Sequence, residues 1–133
     1  ADDESAHLQP GSGAAGGSAW GLITHCGATM QPGAAALAQL IGLPETISAV
    51  DLVITGEGRF DETSLSGKVC GHVYEVSRAA GVKGVFIVGS SADPSVVEWP
   101  MWDLTDASTP ASEAIAFARE YLRQAAGQVA GRH

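Results

Sequence analysis

At 133 residues the chain is near the commonest size for one domain and long enough to bury a single core. It carries 15 acidic against 7 basic residues, a formal charge of −8, which argues against the clustered Lys and Arg of a nucleic-acid footprint. No apolar run approaches the roughly 20 residues of a membrane span, and the start, ADDESAHLQP, is acidic where a secretory signal is basic and then apolar. The chain therefore reads as cytoplasmic, with neither nucleic acid nor membrane as a partner. Cys26 and Cys70 lack CxxC spacing and read as reduced thiols. His7, His25, His72 and His133 are too scattered to build a metal site.

In chain order, the polar start to about Gln9 reads as mobile. The small residues from Ala14, with Trp20, Leu22 and Ile23, suit a tightly packed helix that its glycines weaken. Pro32 restarts the chain into AAALAQLIGL, a second helix with Leu37, Leu40 and Ile41 on one face. Pro44-Glu45 opens a short helical turn to about Val50. Leu52-Val53-Ile54, mostly β-branched and stopped by Thr55-Gly56, predicts a strand buried on both faces of a parallel sheet. From Leu65 to Ala80, Val69, Val73 and Val76 recur at helical spacing, and Gly81 closes the helix. Gly84 to Gly89 predicts another buried strand, and MWDLT near Met101 a third. Ser112 to about Gln128 is an amphipathic helix entered through Pro110, with Ile115, Phe117 and Leu122 as its apolar contacts. Trp99 and Trp102 flank Pro100 as a loop anchor or an interface. Strands alternating with helices predict one layered α/β unit over 1–133 with right-handed crossovers.

The densest chemistry lies in DLVITGEGRFDETSLSGK, Asp51 to Lys68. It is not a Walker A loop, because Val69 follows Gly67-Lys68 and Glu62 stands where a glycine is needed. Gly11-Ser12-Gly13-Ala14-Ala15-Gly16 matches GxGxxG, yet no strand precedes it and no acid follows at the expected distance. What both stretches keep is physical: glycines let backbone N–H groups approach an anion, and a helix N-terminus adds partial positive charge. For Gly11, Gly13, Gly16 and Gly17 close helix packing explains the glycines equally well.

PGSGAAGG at Pro10 to Gly17, followed by DLVITGEGRFDETSLSGK, a helix and a Val-rich strand ending at Gly89, resembles the C-terminal third of bacterial type I glycerate kinases. The resemblance runs from about Pro10 to the terminal helix, with Ser12 where alanine is usual and Phe60 where leucine is usual. It implies a three-layer, Rossmann-like α/β domain with a mainly parallel sheet, part of a two-domain kinase fold. It also implies transfer of the ATP γ-phosphoryl group to a hydroxyl of D-glycerate with Mg2+. Phosphoryl transfer is mostly placement and neutralisation of charge, so Glu57 and Asp61 are the candidate acids, holding Mg2+ or taking the hydroxyl proton. Arg59 would bind a carboxylate or phosphate, or pair with one of those acids, and Lys68 would meet an anionic ligand or solvent. Gly11, Ser12, Gly13, Gly16, Gly17, Gly56, Gly58 and Gly67 would line the substrate or phosphate site. Asp61 could also cap the following helix. Thr55 reads as the last residue of its strand, and His25 and His72 read as structural.

The family's N-terminal motifs, resembling SFKGS and DGGEGT, do not occur in these residues. This implies a C-terminal part that is inactive alone and that associates with a missing N-terminal portion or with another copy. The alternative is a non-catalytic binding or docking module that retains the kinase motif.

Overall fold

The structure, a computed structural model, describes residues 6–105 and 108–131. Residues 1–5 of the polar start and His133 lie outside the described residues. The expected single unit divides, by its packing, into two compact units, Ala1–Pro32 and Gly33–His133.

In the first unit Ala6–Leu8 is a 3-10 turn and α1 spans Ala14–Cys26. The expected helix is present, but Ala15, Gly16 and Gly17 are left-handed, with φ of 52°, 67° and 86°. Glycine reaches that region without penalty, whereas Ala15 is strained there. Low helix propensity has become a kink, behind which the helix resumes. Gly27, at φ 64°, ends it by donating its amide to the Ile23 carbonyl.

The second unit contains α2 (Gly33–Leu40), α3 (Leu43–Ser48), β1 (Leu52–Thr55), β2 (Arg59–Phe60), α4 (Val69–Ala79) and β3 (Lys83–Val88). β4 (Ser90–Ser91), β5 (Met101–Asp103), α5 (Ala111–Ala116) and α6 (Ala118–Ala130) follow. β1, β3 and β5 form a parallel sheet in the order β1-β3-β5, and β2 pairs with β4, also in parallel. β3 lies at the centre, so its side chains alternate between two cores. Phe86 and Val88 pack with Phe60, Cys70, Tyr74 and Trp99 on the α4 side. Val85 and Ile87 pack with Ala125 and Val129 of α6 on the other. The result is the expected three-layer α/β arrangement, since a parallel sheet needs both faces covered.

Four expectations change. β1 is an edge strand, and Ile54 is exposed on the face of the sheet rather than buried. α4 begins at Val69, not Leu65, because Glu62–Leu65 is a separate 3-10 turn and Gly67 is left-handed at φ 77°. Its buried side is Cys70, Val73, Tyr74 and Ser77, with Val69 outside. Leu37, Leu40 and Ile41 are all exposed, Leu40 by 81 %, and Ala38 is the buried residue of α2. The terminal helix breaks at Phe117 (φ −108°, ψ 13°), and Ile115, Phe117 and Leu122 are exposed while Ala125 and Val129 are buried. Trp99 is an anchor: it is buried over Gly84, where a Cβ would stand 2.2 Å from its ring. Gly81, left-handed at φ 71°, follows α4 as expected.

Candidate functional site

The site grows from the carboxyl end of β1. Thr55 is the last residue of the strand. At Gly56 the chain passes so close to β3 that a Cβ would stand 1.8 Å from the Ile87 carbonyl oxygen, which only glycine permits. The Glu57 carbonyl then accepts from the Gly89 amide at 3.0 Å, the Gly58 carbonyl from Ser90 at 3.2 Å and the Phe60 carbonyl from Ala92 at 3.0 Å. Fully buried Phe60 fixes the far end of this ladder. The loop is thereby stapled to the one after β3, and Glu57 is held just beyond the strand ends, where ligands of open α/β sheets gather.

Two cavities meet at Gly56 and Glu57. The smaller, about 430 Å³, is lined by Gly33 and Ala34 at the start of α2 and by Gly67, Lys68, Val69 and Cys70 at the start of α4. Two helix N-termini and a lysine therefore face one small space, an environment suited to a carboxylate or phosphate. The larger, about 1180 Å³, lies over the carboxyl ends of β1, β3 and β5, with Arg59 and Arg119 in a mainly apolar wall. Among the described residues, Glu57 is the only acid lining either cavity, in a chain with 15 acidic residues and 7 basic ones. Its Oε1 is buried and has no hydrogen-bond partner. An orphaned buried carboxylate oxygen costs free energy unless a ligand uses it.

Asp61 lines neither cavity. Its Oδ1 accepts from the Thr63 amide at 2.9 Å and the Thr63 hydroxyl at 2.6 Å, while its own amide donates to Ser64 Oγ at 3.0 Å. This capping box opens the 3-10 turn Glu62–Leu65. The Thr63 hydroxyl, then the Thr63 amide, with smaller help from Lys68 and Arg59, holds the Asp61 carboxyl below its ordinary value of 3.8. A carboxylate so depressed stabilises the fold above that ordinary value and loses its contribution as the pH falls through the lower folded value. Asp61→Ala is expected to lower the melting temperature at neutral pH, and Asp61→Asn to leave it near the parent's, because Asn caps about as well as Asp. An Asn variant as destabilised as the Ala variant would contradict the capping role.

Lys68 lies 3.9 Å from Asp61, both half exposed, so it is shared between that weak pair and the smaller cavity. Arg59 makes no ion pair within 4.0 Å among the described residues. The Thr55 hydroxyl lies 3.6 Å from Cys70 Sγ, and burial pushes the Cys70 thiol up, leaving it uncharged beside Glu57. Gly58 is open, whereas Gly67 is needed for its left-handed turn. Ser12 is buried, its hydroxyl donating to the His7 carbonyl at 3.0 Å. Gly11 is left-handed at φ 89°, with Met30 where a Cβ would point. Gly13, Gly16 and Gly17 shape the entry to α1. These residues belong to the first unit, and the two cavities are built wholly from the second.

The sequence reading missed Arg119 and the start of α2. Arg119 had a signal: Ile115, Ala118, Arg119 and Leu122 recur at helical spacing, which sets a cation inside an apolar stripe.

The model of the glycerate kinase family matches residues 2–133. The chain is 30% identical to "Glycerate kinase" of Bacillus subtilis over 125 residues, covering 90% of this chain and 33% of that one. It is 39% identical to "Glycerate 2-kinase" of Escherichia coli over 84 residues, covering 63% and 22%. The crystal structure of "putative glycerate kinase 2" from Salmonella typhimurium LT2 superposes with a TM-score of 0.68 at 29% identity, covering 92% of this chain and 32% of that one. The chain thus spans about a third or less of the length of the relatives it matches.

Proposed function

The chain belongs to the glycerate kinase family, and from that premise we propose that it supplies the anion-binding loops of a kinase that transfers the γ-phosphoryl group of ATP to a hydroxyl of D-glycerate. The carrying observation is Glu57, an unpartnered carboxylate at the junction of two cavities that also present Lys68, Arg59 and Arg119. The acceptor hydroxyl oxygen bonds to the γ-phosphorus as the bond to the β–γ bridging oxygen breaks. ADP leaves, and the hydroxyl proton passes to Glu57. The loop amides and the three cations hold the substrate charges in place beforehand.

Mg2+ fits this arrangement at Glu57. The described residues hold no cluster of three His, Cys, Asp or Glu, and Asp61 is engaged in its cap. Glu57 is the lining residue that could hold the ion, and one carboxylate suits an ion that keeps waters and takes its remaining ligands from substrate phosphates. When bound, the ion supplies neutralisation of phosphate charge. The same reading places the enzyme in the cytoplasm. Both cysteines are free thiols, and no helix among the described residues is long and apolar enough to cross a membrane.

A chimera in which this chain replaces the matching 125 residues of the B. subtilis relative tests the reading. ADP release dependent on D-glycerate is expected in the chimera, in the ordinary kinase range of roughly 1–100 s⁻¹. The chain by itself is expected to fall far below that range. A folded chimera without D-glycerate-dependent turnover would contradict the assignment. That outcome would favour the second reading, a docking module, to which the exposed Leu37 and Leu40 of α2 and Ile41 just past its end lend support.

A further inference from the structure

The two cavities differ in size, polarity and charge in a way that sorts two ligands. The geometry points to the larger cavity as the seat of the nucleotide, base and ribose against its apolar wall and phosphates toward Arg59 and Glu57, and to the smaller as the seat of the hydroxy acid. This assignment rests on the kinase reading above and says which ligand each part of the chain touches.

Size comes first. About 1180 Å³ exceeds what a three-carbon acid can fill and lies above the usual range of cavities that hold drug-sized ligands, about 300–1,000 Å³. About 430 Å³ lies at the low end of that range and is ample for a small carboxylate. Polarity agrees. Ile54 of β1, Ile87 of β3 and Leu104 after β5 form one wall of the larger cavity, and Ile115 and Leu122 form the other. Ile54 and Ile115 are large apolar side chains left 53 % and 78 % exposed. A purine laid between two such walls gains the burial that water does not give them.

Charge agrees as well. Arg59 and Arg119 line that cavity, and neither makes an ion pair within 4.0 Å among the described residues. A guanidinium matches phosphate oxygens two at a time. In the smaller cavity the positive groups are compact: Lys68 and the starts of α2 and α4, a point charge and amide dipoles scaled to one carboxylate. Glu57 and Gly56 are the residues common to both linings, so the γ-phosphate and the acceptor hydroxyl would meet at the unpartnered Glu57 oxygen. The position over the carboxyl ends of three parallel strands is where open α/β sheets take their ligands. This favours a small-molecule ligand there over a protein segment.

The test uses the 133-residue chain as it is, with methyl and amide NMR spectra recorded while ATP, inorganic tripolyphosphate and D-glycerate are added separately. ATP is expected to shift the methyls of Ile54, Ile87, Ile115 and Leu122 in a saturable way, within the range of about 1 μM to 1 mM usual for enzyme substrates. Tripolyphosphate, which lacks the base, should move the arginine region and leave those methyls in place. D-glycerate should move Gly67, Lys68 and Cys70. Exposed Arg119→Ala should weaken ATP about tenfold or more while leaving D-glycerate shifts unchanged. ATP shifts that fall around Gly67–Cys70 instead, or methyls unmoved by ATP at millimolar concentration, would overturn the assignment. The kinase reading fails separately. An active chimera with unmoved methyls removes only the nucleotide seat, whereas ATP shifts with an inactive chimera remove the reaction and leave the seat.

Discussion

Phe86→Ala is expected to destabilise the chain by about 3–5 kcal/mol, the usual loss for truncating a buried phenylalanine to alanine. Phe86 is fully buried on the central strand. Its ring lies 5.1 Å from that of Phe60, 5.6 Å from Tyr74 and 5.4 Å from Trp99, centroid to centroid. The loss therefore combines transfer free energy, a cavity among rings that cannot all collapse into it, and three aromatic contacts. Phe60 also anchors the loop that carries Glu57, so the same cavity would loosen the site from below. Against a typical total of about 5–15 kcal/mol, the variant should be marginally folded at 25 °C. Urea denaturation followed by tryptophan fluorescence, with Phe86→Leu as the milder control, reads the difference. A midpoint for Phe86→Ala equal to the parent's would contradict the three-layer core built on β3.

β3 was legible because burial on both faces writes itself as an unbroken apolar run, Val85 to Val88. β1 carried nearly the same signal in Leu52, Val53 and Ile54, yet it is an edge strand with Ile54 exposed. Residue type records that a side chain is suited to burial, not what covers it. The same holds for Leu37 and Leu40, whose helical spacing was read correctly and whose covering was not, and for Ile41, which lies just past the end of α2. The break at Phe117 and the two-residue pairing of β2 with β4 arise from long-range contacts and leave no local period to read.

At the site, residue types were legible and their partners were not. Glu57 stood out as an acid between two glycines after a strand, and the structure leaves its Oε1 free at a junction of cavities. Asp61 stood out equally, but the Thr63 and Ser64 hydroxyls two and three residues on turn it into a cap, an alternative the sequence left open. Gly56 reads as a phosphate-loop glycine, whereas its close approach to the Ile87 carbonyl needs the tertiary pairing of β1 with β3 to be seen.

The other large effect is expected at Glu57. Losing a positioned proton acceptor typically lowers turnover by about 10²- to 10⁴-fold. Glu57→Gln keeps the shape and the backbone ladder from Gly89 while removing the group that takes the proton. Glu57 is half-buried and makes no ion pair among the described residues, so the change should leave the fold intact. Binding of ATP and D-glycerate should change far less than turnover, since the cations and amides that hold the anions remain. The decisive measurement is kcat for Glu57→Gln in the chimera with the B. subtilis relative, over a series of Mg2+ concentrations. A fall in kcat of about a hundredfold or more that persists at saturating Mg2+, with KM near that of the parent chimera, is the predicted result. Unchanged turnover, or activity restored by raising Mg2+, would contradict the assignment of the transferred proton to Glu57.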